Sequence, residues 1–286
     1  MSNLTQRLLL FFVGVPAIIA IVVFLPQGRH AAVVALLLLF SGGSGVELGR
    51  LFVDKGIAVK PAVFGAIAAV GPGLFYAALF IKRGSLAAAG IGSFVAAILA
   101  VIVLSAFAFS PKEKIPDILP RATGYGFAFI YPGLLAGFLV LIAAQPPRAT
   151  EAIITFACMT FGNDSLAWLA GTTLGKRRGL IAVSPNKSLE GFFGGVAGSL
   201  AGGLAAYFAF PASFPIPVWA LLLMAVAVAL ATVLGDLFES GLKRSAGAKD
   251  SGGVVPGRGG FLDSFDSLLF AAPVFFGLAV LLRLFR

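Results

Sequence analysis

Long apolar runs repeat along almost the whole chain, and they constrain its fold more than any other feature of the sequence. Each is about as long as a helix that crosses the hydrocarbon core of a bilayer. They cover residues 8–25, 31–46, 61–81, 86–109, 123–143, 152–171, 191–210, 217–235 and 267–285. The runs lack the alternation of apolar and polar residues that is typical of membrane β-barrels. Because backbone polar groups must be satisfied within lipid, we predict an all-α integral membrane protein with about nine transmembrane helices.

The composition excludes a water-soluble globular domain. Of the 286 residues, 59% are hydrophobic and 12% are charged, and the mean hydropathy is +1.02. Soluble domains carry about 25% charged residues, so this chain has too few to cover a water-exposed surface. Its single cysteine, Cys158, and single histidine, His30, exclude disulfides and cysteine-based metal sites. Any chemistry must therefore use Asp, Glu, Lys, Arg, Ser and Asn.

The basic residues predict which side of the membrane each connection faces. With nine spans and the N-terminus inside, 15 of the 21 lysines and arginines fall on the inner side. This bias follows the positive-inside rule, so we expect a cytoplasmic N-terminus in the inner (cytoplasmic) membrane. The net charge of +9 then faces the anionic leaflet and does not indicate nucleic-acid binding. Eleven of the twelve acids share that side, although acids contribute little to topology, which indicates that they function there.

Polar residues concentrate in two stretches of the second half, at 163–191 and 235–267. The predicted topology places both stretches on the cytoplasmic face, where they would converge on one site. We therefore divide the chain into N-terminal transmembrane helices, 1–121, and a catalytic transmembrane region, 122–286.

Helical spacing groups the polar residues of the second stretch. Two acids, a hydroxyl and a base share one stripe at i, i+3, i+4 and i+7; they are Asp236, Glu239, Ser240 and Lys243. Carboxylate oxygens suit Mg²⁺, which keeps several waters and is often completed by substrate phosphates. Nearby lysines and arginines would neutralise those phosphates, and the Gly-rich segment 252–260 would let backbone N–H groups approach an anion. These features together predict polyphosphate chemistry at a membrane surface.

Several of these features also have a purely structural interpretation. Asp263 would serve as a helix N-cap, and three residues would cap the seventh span: Ser184, Asn186 and Ser188. The Asp236–Lys243 stripe would be a solvated helix end. Asp164 is harder to explain in this way, because an acid at that depth in a span is costly. For the glycines of the seventh span we favour a structural role, since their small-xxx-small spacing predicts close packing against a neighbouring helix.

Three blocks of the second half, taken together, resemble a known family. One block reads Ser240-x-Leu242-Lys243-Arg244-x4-Lys249-Asp250-Ser251-Gly252, then Pro256-Gly257-x-Gly259-Gly260-x-x-Asp263-x-x-Asp266. The other two read Ser184-Pro185-Asn186-Lys187-Ser188-x-Glu190-Gly191 and Asn163-Asp164-Ser165. This pattern over 163–267 resembles the phosphatidate cytidylyltransferase (CDP-diacylglycerol synthase) family.

Two positions depart from the pattern of that family. Arg258 stands where the family has His before the Gly-Gly pair, and Ser264 stands where it has Arg after the aspartate. A positive charge is thus kept in the segment but six residues earlier. Either the site has been rebuilt around Arg258, or the chain is a diverged paralogue with altered substrate or reduced activity.

The resemblance implies that CTP and phosphatidate react to give CDP-diacylglycerol and pyrophosphate, with Mg²⁺ as cofactor; it also favours a homodimer. The expected metal ligands are Asp236 and Asp263, with Asp266 and Asp164 for a second metal ion. The expected catalytic residues are Asp236, Lys243, Arg244, Lys249, Asp250, Asp263 and Asp266. The expected substrate-binding residues are Ser184, Asn186, Lys187, Glu190, Ser240 and Arg258.

Three other functions stay open at the level of sequence. A transporter would use Asp164 and the Gly-broken spans, although acids clustered at one face argue against a transport path. A regulatory paralogue would bind CTP or lipid without turnover. A third possibility is a CTP-dependent enzyme with another lipid phosphate or a polyprenol as acceptor, because the N-terminal spans carry no readable code for the acceptor.

Overall fold

The computed structural model describes five parts of the chain: residues 13–80, 118–144, 147–179, 181–255 and 257–285. The predicted span at 86–109 lies outside them, as does the beginning of the span at 8–25. In the described parts the regular structure is helical, apart from two isolated β-bridges that pair 178 with 188 and 255 with 259. The predicted all-α class is therefore confirmed.

The helices follow the apolar runs in chain order. They are α1 (Val15–Phe24), α2 (Gln27–Asp54), α3 (Pro61–Ala78), α4 (Ile118–Ala128), α5 (Leu135–Ala144), α6 (Ala149–Thr173), α7 (Leu189–Ala209), α8 (Val218–Ser245) and α9 (Phe261–Leu281). A π-helical turn, Phe129–Leu134, joins α4 to α5, and a short 3₁₀ turn, Pro211–Ser213, follows α7. The turn around Pro132 has a direct cause, since proline removes one N–H from the helical ladder.

Within the described parts of the chain, six helices are long and apolar enough to cross a membrane. They are Gln27–Asp54, Pro61–Ala78, Ile118–Ala144, Leu189–Ala209, Val218–Ser245 and Phe261–Leu281. Each overlaps one of the predicted spans, which makes the chain an all-α membrane protein. Helix α6 overlaps the predicted span at 152–171 and has 25 residues, but it carries Asn163 and Asp164 and is not one of the six.

The chain forms two compact units, each built from segments that are far apart in sequence. Unit 1 contains residues 1–144 and 242–265, and unit 2 contains residues 145–241 and 266–286. Unit 1 therefore includes the last turn of α8, the loop after it and the first turn of α9. The predicted division after residue 121 followed the motifs rather than the packing, and it stays a prediction.

Small residues let the helices of each unit approach closely. In unit 1, a Cβ on Gly49 of α2 would lie 2.7 Å from the Cα of Pro61 at the start of α3. In unit 2, a Cβ on Gly198 of α7 would overlap the carbonyl of Gly162 in α6. The predicted close packing of the glycine-rich seventh span is thus confirmed, and α6 is the neighbour it packs against.

Candidate functional site

The end of α8 and the start of α9 hold a buried ion pair in unit 1. The ammonium of Lys243 lies 2.5 Å from Oδ1 of Asp263, and the two side chains are 12% and 7% exposed. Oδ2 of Asp263 accepts the N–H groups of Ser251 at 2.9 Å and Gly260 at 2.7 Å. The hydroxyl of Ser251 lies 2.8 Å from the same oxygen. The ion pair therefore joins both halves of the C-terminal motif.

Asp263 has a capping role in addition to its bond with Lys243. A helix start leaves its first N–H groups without partners inside the helix. Asp263, in the first turn of α9, reaches back to the N–H of Gly260, as the acidic member of a capping box does. The prediction that Asp263 is the N-cap residue is therefore wrong in position: it is the third residue of α9, and one of its oxygens caps the helix from there while the other binds an ammonium.

Glu47 of α2 joins the same network, although its position predicted no individual role. Its side chain is 1% exposed. Its two oxygens accept the N–H groups of Phe261 at 3.0 Å and Leu262 at 2.8 Å. The N–H of Asp263, the next residue of that turn, donates to the hydroxyl oxygen of Ser251 at 3.3 Å. The signal in the sequence was an acid directly after an apolar run, where a charge needs a partner.

The glycine-rich loop lies against these two carboxylates. A Cβ on Gly252 or on Gly260 would overlap the carboxylate of Glu47. Gly259 has φ +104°, and a Cβ there would lie 2.6 Å from Oδ2 of Asp263. The backbone of the loop therefore approaches anions as predicted, but in the described structure the anions are the chain's own carboxylates.

A second lysine–aspartate pair lies in unit 2 and is more open to solvent. The ammonium of Lys187 is 2.5 Å from Oδ2 of Asp236, and the side chains are 31% and 41% exposed. The hydroxyl of Ser240, one turn further along α8, is 3.4 Å from Oδ1 of Asp236. The pair thus connects the second predicted motif to the stripe on α8.

The loop that carries Lys187 is held by its own polar groups. Oε2 of Glu190 accepts the N–H groups of Lys176 and Arg177, each at 3.2 Å. The guanidinium of Arg178 donates to carbonyls on both sides of the loop, at Gly171 (2.6 Å) and Asn186 (3.4 Å). These bonds give Glu190 a role in shaping the loop.

Ser188 caps the helix that follows this loop. Its hydroxyl accepts the N–H of Gly191 at 3.1 Å, which confirms the predicted cap of the seventh span. Ser184, also predicted as a cap, lies instead in the turn before it, where its carbonyl accepts the N–H of Lys187 at 3.1 Å. Asn186 in the same turn is exposed.

The remaining predicted residues differ in exposure: those of the segment 244–258 are exposed, whereas Asp266 and Asp164 are more buried. Lys249, Asp250 and Arg258 are exposed side chains of the loop after α8, and the exposed Arg244 lies in the last turn of α8. Asp266 is 7% exposed, and its Oδ1 accepts the N–H of Ser267 at 2.5 Å. Asp164 is half-buried on α6. Ser264, one of the two departures from the family pattern, donates to the carbonyl of Gly260 at 3.0 Å.

Helices α8 and α9 approach closely in unit 2 beside the predicted acids. A Cβ on Gly235 would lie 2.6 Å from the carbonyl oxygen of Asp266 and 3.1 Å from Cβ of Phe270. Glycine at 235 therefore allows the backbones of the two acid-bearing segments to come together.

The donor chemistry of the two aspartates fits a hard cation. Asp236 and Asp263 each present one oxygen to a lysine ammonium, so each already binds a positive charge. In the described parts of the chain, no group of three or more His, Cys, Asp or Glu side chains is arranged to hold a metal ion. A Mg²⁺ ion at either aspartate would thus depend on water and substrate oxygens for its remaining ligands, as is usual for this ion.

Comparisons with known proteins match this chain over almost its full length. The Cytidylyltransferase family matches residues 5–282. A Staphylococcus aureus (strain COL) protein named phosphatidate cytidylyltransferase is 33% identical over 264 residues, which are 90% of this chain and 94% of that protein.

Two further relatives of the same name match over a shorter segment. The Bacillus subtilis protein is 38% identical over 154 residues, or 54% of this chain. The Staphylococcus haemolyticus protein is 37% identical over 138 residues, or 48% of this chain. The match spans about half the length of these two curated relatives, 56% and 52% respectively.

Proposed function

Because this chain belongs to the cytidylyltransferase family, we propose that it transfers the cytidylyl group of CTP to phosphatidate in a membrane. The products are CDP-diacylglycerol, a precursor in phospholipid biosynthesis, and pyrophosphate. The main support comes from two ion pairs, Lys187–Asp236 and Lys243–Asp263, because they lie in the motif segments that such a transfer would use. The alignment across 94% of the Staphylococcus aureus protein of that name supports the same reaction.

The proposed reaction suits a site without a strong base. The nucleophile is a phosphate monoester, whose second pKa is about 6, so it is already largely a dianion at neutral pH. The single histidine and single cysteine of the chain are therefore not needed for proton abstraction. The barrier is instead the repulsion between two polyanions, which positioning and charge neutralisation lower.

Basic side chains provide the neutralisation in this proposal. Lys187 and Lys243 each form an ion pair with an aspartate, and this contact holds the ammonium group in place. Arg244 in the last turn of α8 and Lys249 in the loop after it are exposed, so phosphates of CTP or phosphatidate would reach them. Arg258, exposed in the same loop, supplies the charge that the family places six residues later.

Other polar residues of the two motifs are proposed to bind substrate. Ser184 and Asn186 bind the nucleotide, and Ser240, whose hydroxyl contacts Asp236, binds substrate next to that carboxylate. Asp250 orients basic partners. Glu190 acts on the substrate indirectly, since its carboxylate holds the backbone of the Lys187 loop.

Mg²⁺ is the proposed cofactor. Asp236 and Asp263 are each a first-choice metal ligand, and Asp266 and Asp164 are candidates to bind a second metal ion or to support the ligands. When bound, the metal offsets the negative charge of the phosphates and orients them. The support for these assignments is the hard oxygen chemistry of the side chains and the cation that each of the first two already binds.

The proposed topology has nine spans with the N-terminus and the active site on the cytoplasmic side of the inner membrane. The six apolar helices support a multi-pass protein, and the basic-residue bias supports the orientation. A homodimer is proposed from the family alone.

The proposed function is tested with purified protein in mixed micelles of detergent and phosphatidate. With labelled CTP and Mg²⁺, one lipid-linked cytidylyl group and one pyrophosphate should form per turnover. A panel of other lipid phosphates, offered at the same mole fraction, identifies the acceptor. Turnover with another lipid phosphate but not with phosphatidate would reject the proposed substrate, and no turnover with any of them would reject the enzyme.

A further inference from the structure

The buried carboxylate of Glu47 is the strongest feature that the proposed reaction leaves unused. It belongs to α2, more than 200 residues before the motif that it contacts, and its side chain is 1% exposed. It accepts the first two N–H groups of α9 on its two oxygens, one on each. The positive end of the helix dipole favours a negative group at this position.

One hydroxyl connects Glu47 to Asp263. Oγ of Ser251 is 2.9 Å from Oε2 of Glu47 and 2.8 Å from Oδ2 of Asp263. A serine hydroxyl has one proton, so it donates to one of these oxygens at a time. Both carboxylates keep backbone donors of their own in either case. Moving Glu47 would therefore displace the side chain that also holds Asp263.

The glycines of the loop fit the shape of the Glu47 carboxylate. If either Gly252 or Gly260 carried a Cβ, the three atoms nearest to that Cβ would all belong to Glu47. Neither glycine lies in the left-handed region, so alanine would suit the backbone at both positions. What excludes a side chain at these two positions is the carboxylate itself.

We propose that Glu47 is a positioning residue. It holds the loop 251–260 and the first turn of α9 in place, so that Asp263 keeps its ion pair with Lys243. This inference rests on the proposed function in one respect, that the Lys243–Asp263 pair serves the reaction. It extends the functional residues to α2, in the region that the motifs left outside the catalytic part.

The first test replaces Glu47 by glutamine, which keeps the size but leaves one accepting oxygen for two N–H groups. Amide hydrogen exchange, measured without CTP or lipid substrate, should accelerate about tenfold at Phe261 and Leu262 in Glu47→Gln. The matched control is Asp54→Asn, which removes the same charge from an exposed position at the end of α2 and should leave this exchange unchanged.

The kinetic test separates positioning from stability alone. Per folded molecule, Glu47→Gln should lower kcat about tenfold, as expected for one weakened hydrogen bond to a charged group. KM for CTP should change less than kcat, because Arg258 is the one residue of the loop 251–260 that is proposed to bind substrate. An unchanged kcat in folded Glu47→Gln would reduce Glu47 to a structural residue and overturn the inference.

A double-mutant cycle tests the contact between Glu47 and the loop. Gly260→Ala should lower activity strongly when Glu47 is present, whereas adding it to Glu47→Ala should cost nothing more, because the space is then free. Gly253→Ala is the control, since nothing lies within 4 Å of its built Cβ. Additive losses from Gly260→Ala and Glu47→Ala would contradict the contact.

The exchange measurement also distinguishes the two proposals from each other. If the wild-type protein fails to turn over CTP but Glu47→Gln still loosens the first turn of α9, the proposed function fails and the contact stands. If the wild-type protein is active and neither exchange nor kcat responds to Glu47→Gln, the positioning role fails and the proposed function stands.

Discussion

The two lysine–aspartate pairs have the same N–O distance but different surroundings. In unit 1, Lys243 and Asp263 are almost buried, and Asp263 also receives three donors from Ser251 and Gly260. In unit 2, Lys187 and Asp236 are about one-third exposed, and Asp236 has a weaker contact with Ser240 at 3.4 Å. The first pair is therefore held by more hydrogen bonds than the second, and the second is more accessible to solvent.

Breaking the buried pair should have the largest effect, on stability as well as activity. Asp263→Asn leaves the Lys243 ammonium buried without its counter-charge, which should cost about 3–5 kcal/mol of unfolding free energy. Activity should fall by at least about a hundredfold. Thermal unfolding in detergent and the CTP assay measure the two effects.

The double variant Lys243→Met with Asp263→Leu separates these two effects. An apolar pair of similar volume removes the unpaired ammonium and should restore part of the stability without restoring activity. The recovery is only partial, because the N–H groups of Ser251 and Gly260 then lose their acceptor. Recovery of turnover in this double variant would show that the buried pair serves only the fold.

Removing the exposed acid should separate activity from stability. Asp236→Asn should lower turnover by about the same hundredfold if Asp236 meets the metal or the phosphates. The unfolding free energy should change by less than about 1 kcal/mol, because exposed ion pairs contribute little. A stability loss as large as that of Asp263→Asn would contradict the difference between the pairs.

Gly235, next to the exposed pair, offers a smaller and purely steric test. Gly235→Ala puts a methyl group against the backbone of Asp266, and overpacking of this kind should cost about 1–3 kcal/mol. Gly241→Ala is the matched control on the same helix, since its nearest neighbour is Cγ1 of Val183 at 3.8 Å. The control should be neutral or slightly stabilising, because alanine favours a helix more than glycine does. Equal unfolding temperatures for the two variants would argue against the close approach of α8 and α9.

Hydropathy predicted the existence of the helices better than their ends. The run at 217–235 becomes α8, Val218–Ser245, which continues ten residues beyond the apolar segment. That extension carries the predicted polar stripe, so the helical spacing of Asp236, Ser240 and Lys243 was correctly inferred. The hydropathy of a segment reports which part suits lipid, whereas a helix continues for as long as its backbone bonds and caps allow.

The motifs grouped the polar residues along the chain but did not show which of them contact each other. The sequence placed Lys187 and Asp236 in two separate motifs, and the structure joins them across 49 positions of the chain. Glu190 was expected to bind substrate, but its carboxylate accepts backbone N–H groups of the preceding loop. Residue type limits the chemistry that a side chain can perform, but its partners depend on how distant segments pack.

The sequence alone determined that this chain is helical and lies in a membrane, because apolar runs of that length have no other stable solution in lipid. It also determined which functional groups are available for chemistry, namely carboxylates interleaved with basic side chains. Only the tertiary structure decided that Glu47 caps α9 and that Asp263 is fixed while Asp236 is open. Those differences arise from contacts across 20 to more than 200 residues, and no local pattern in the chain encodes them.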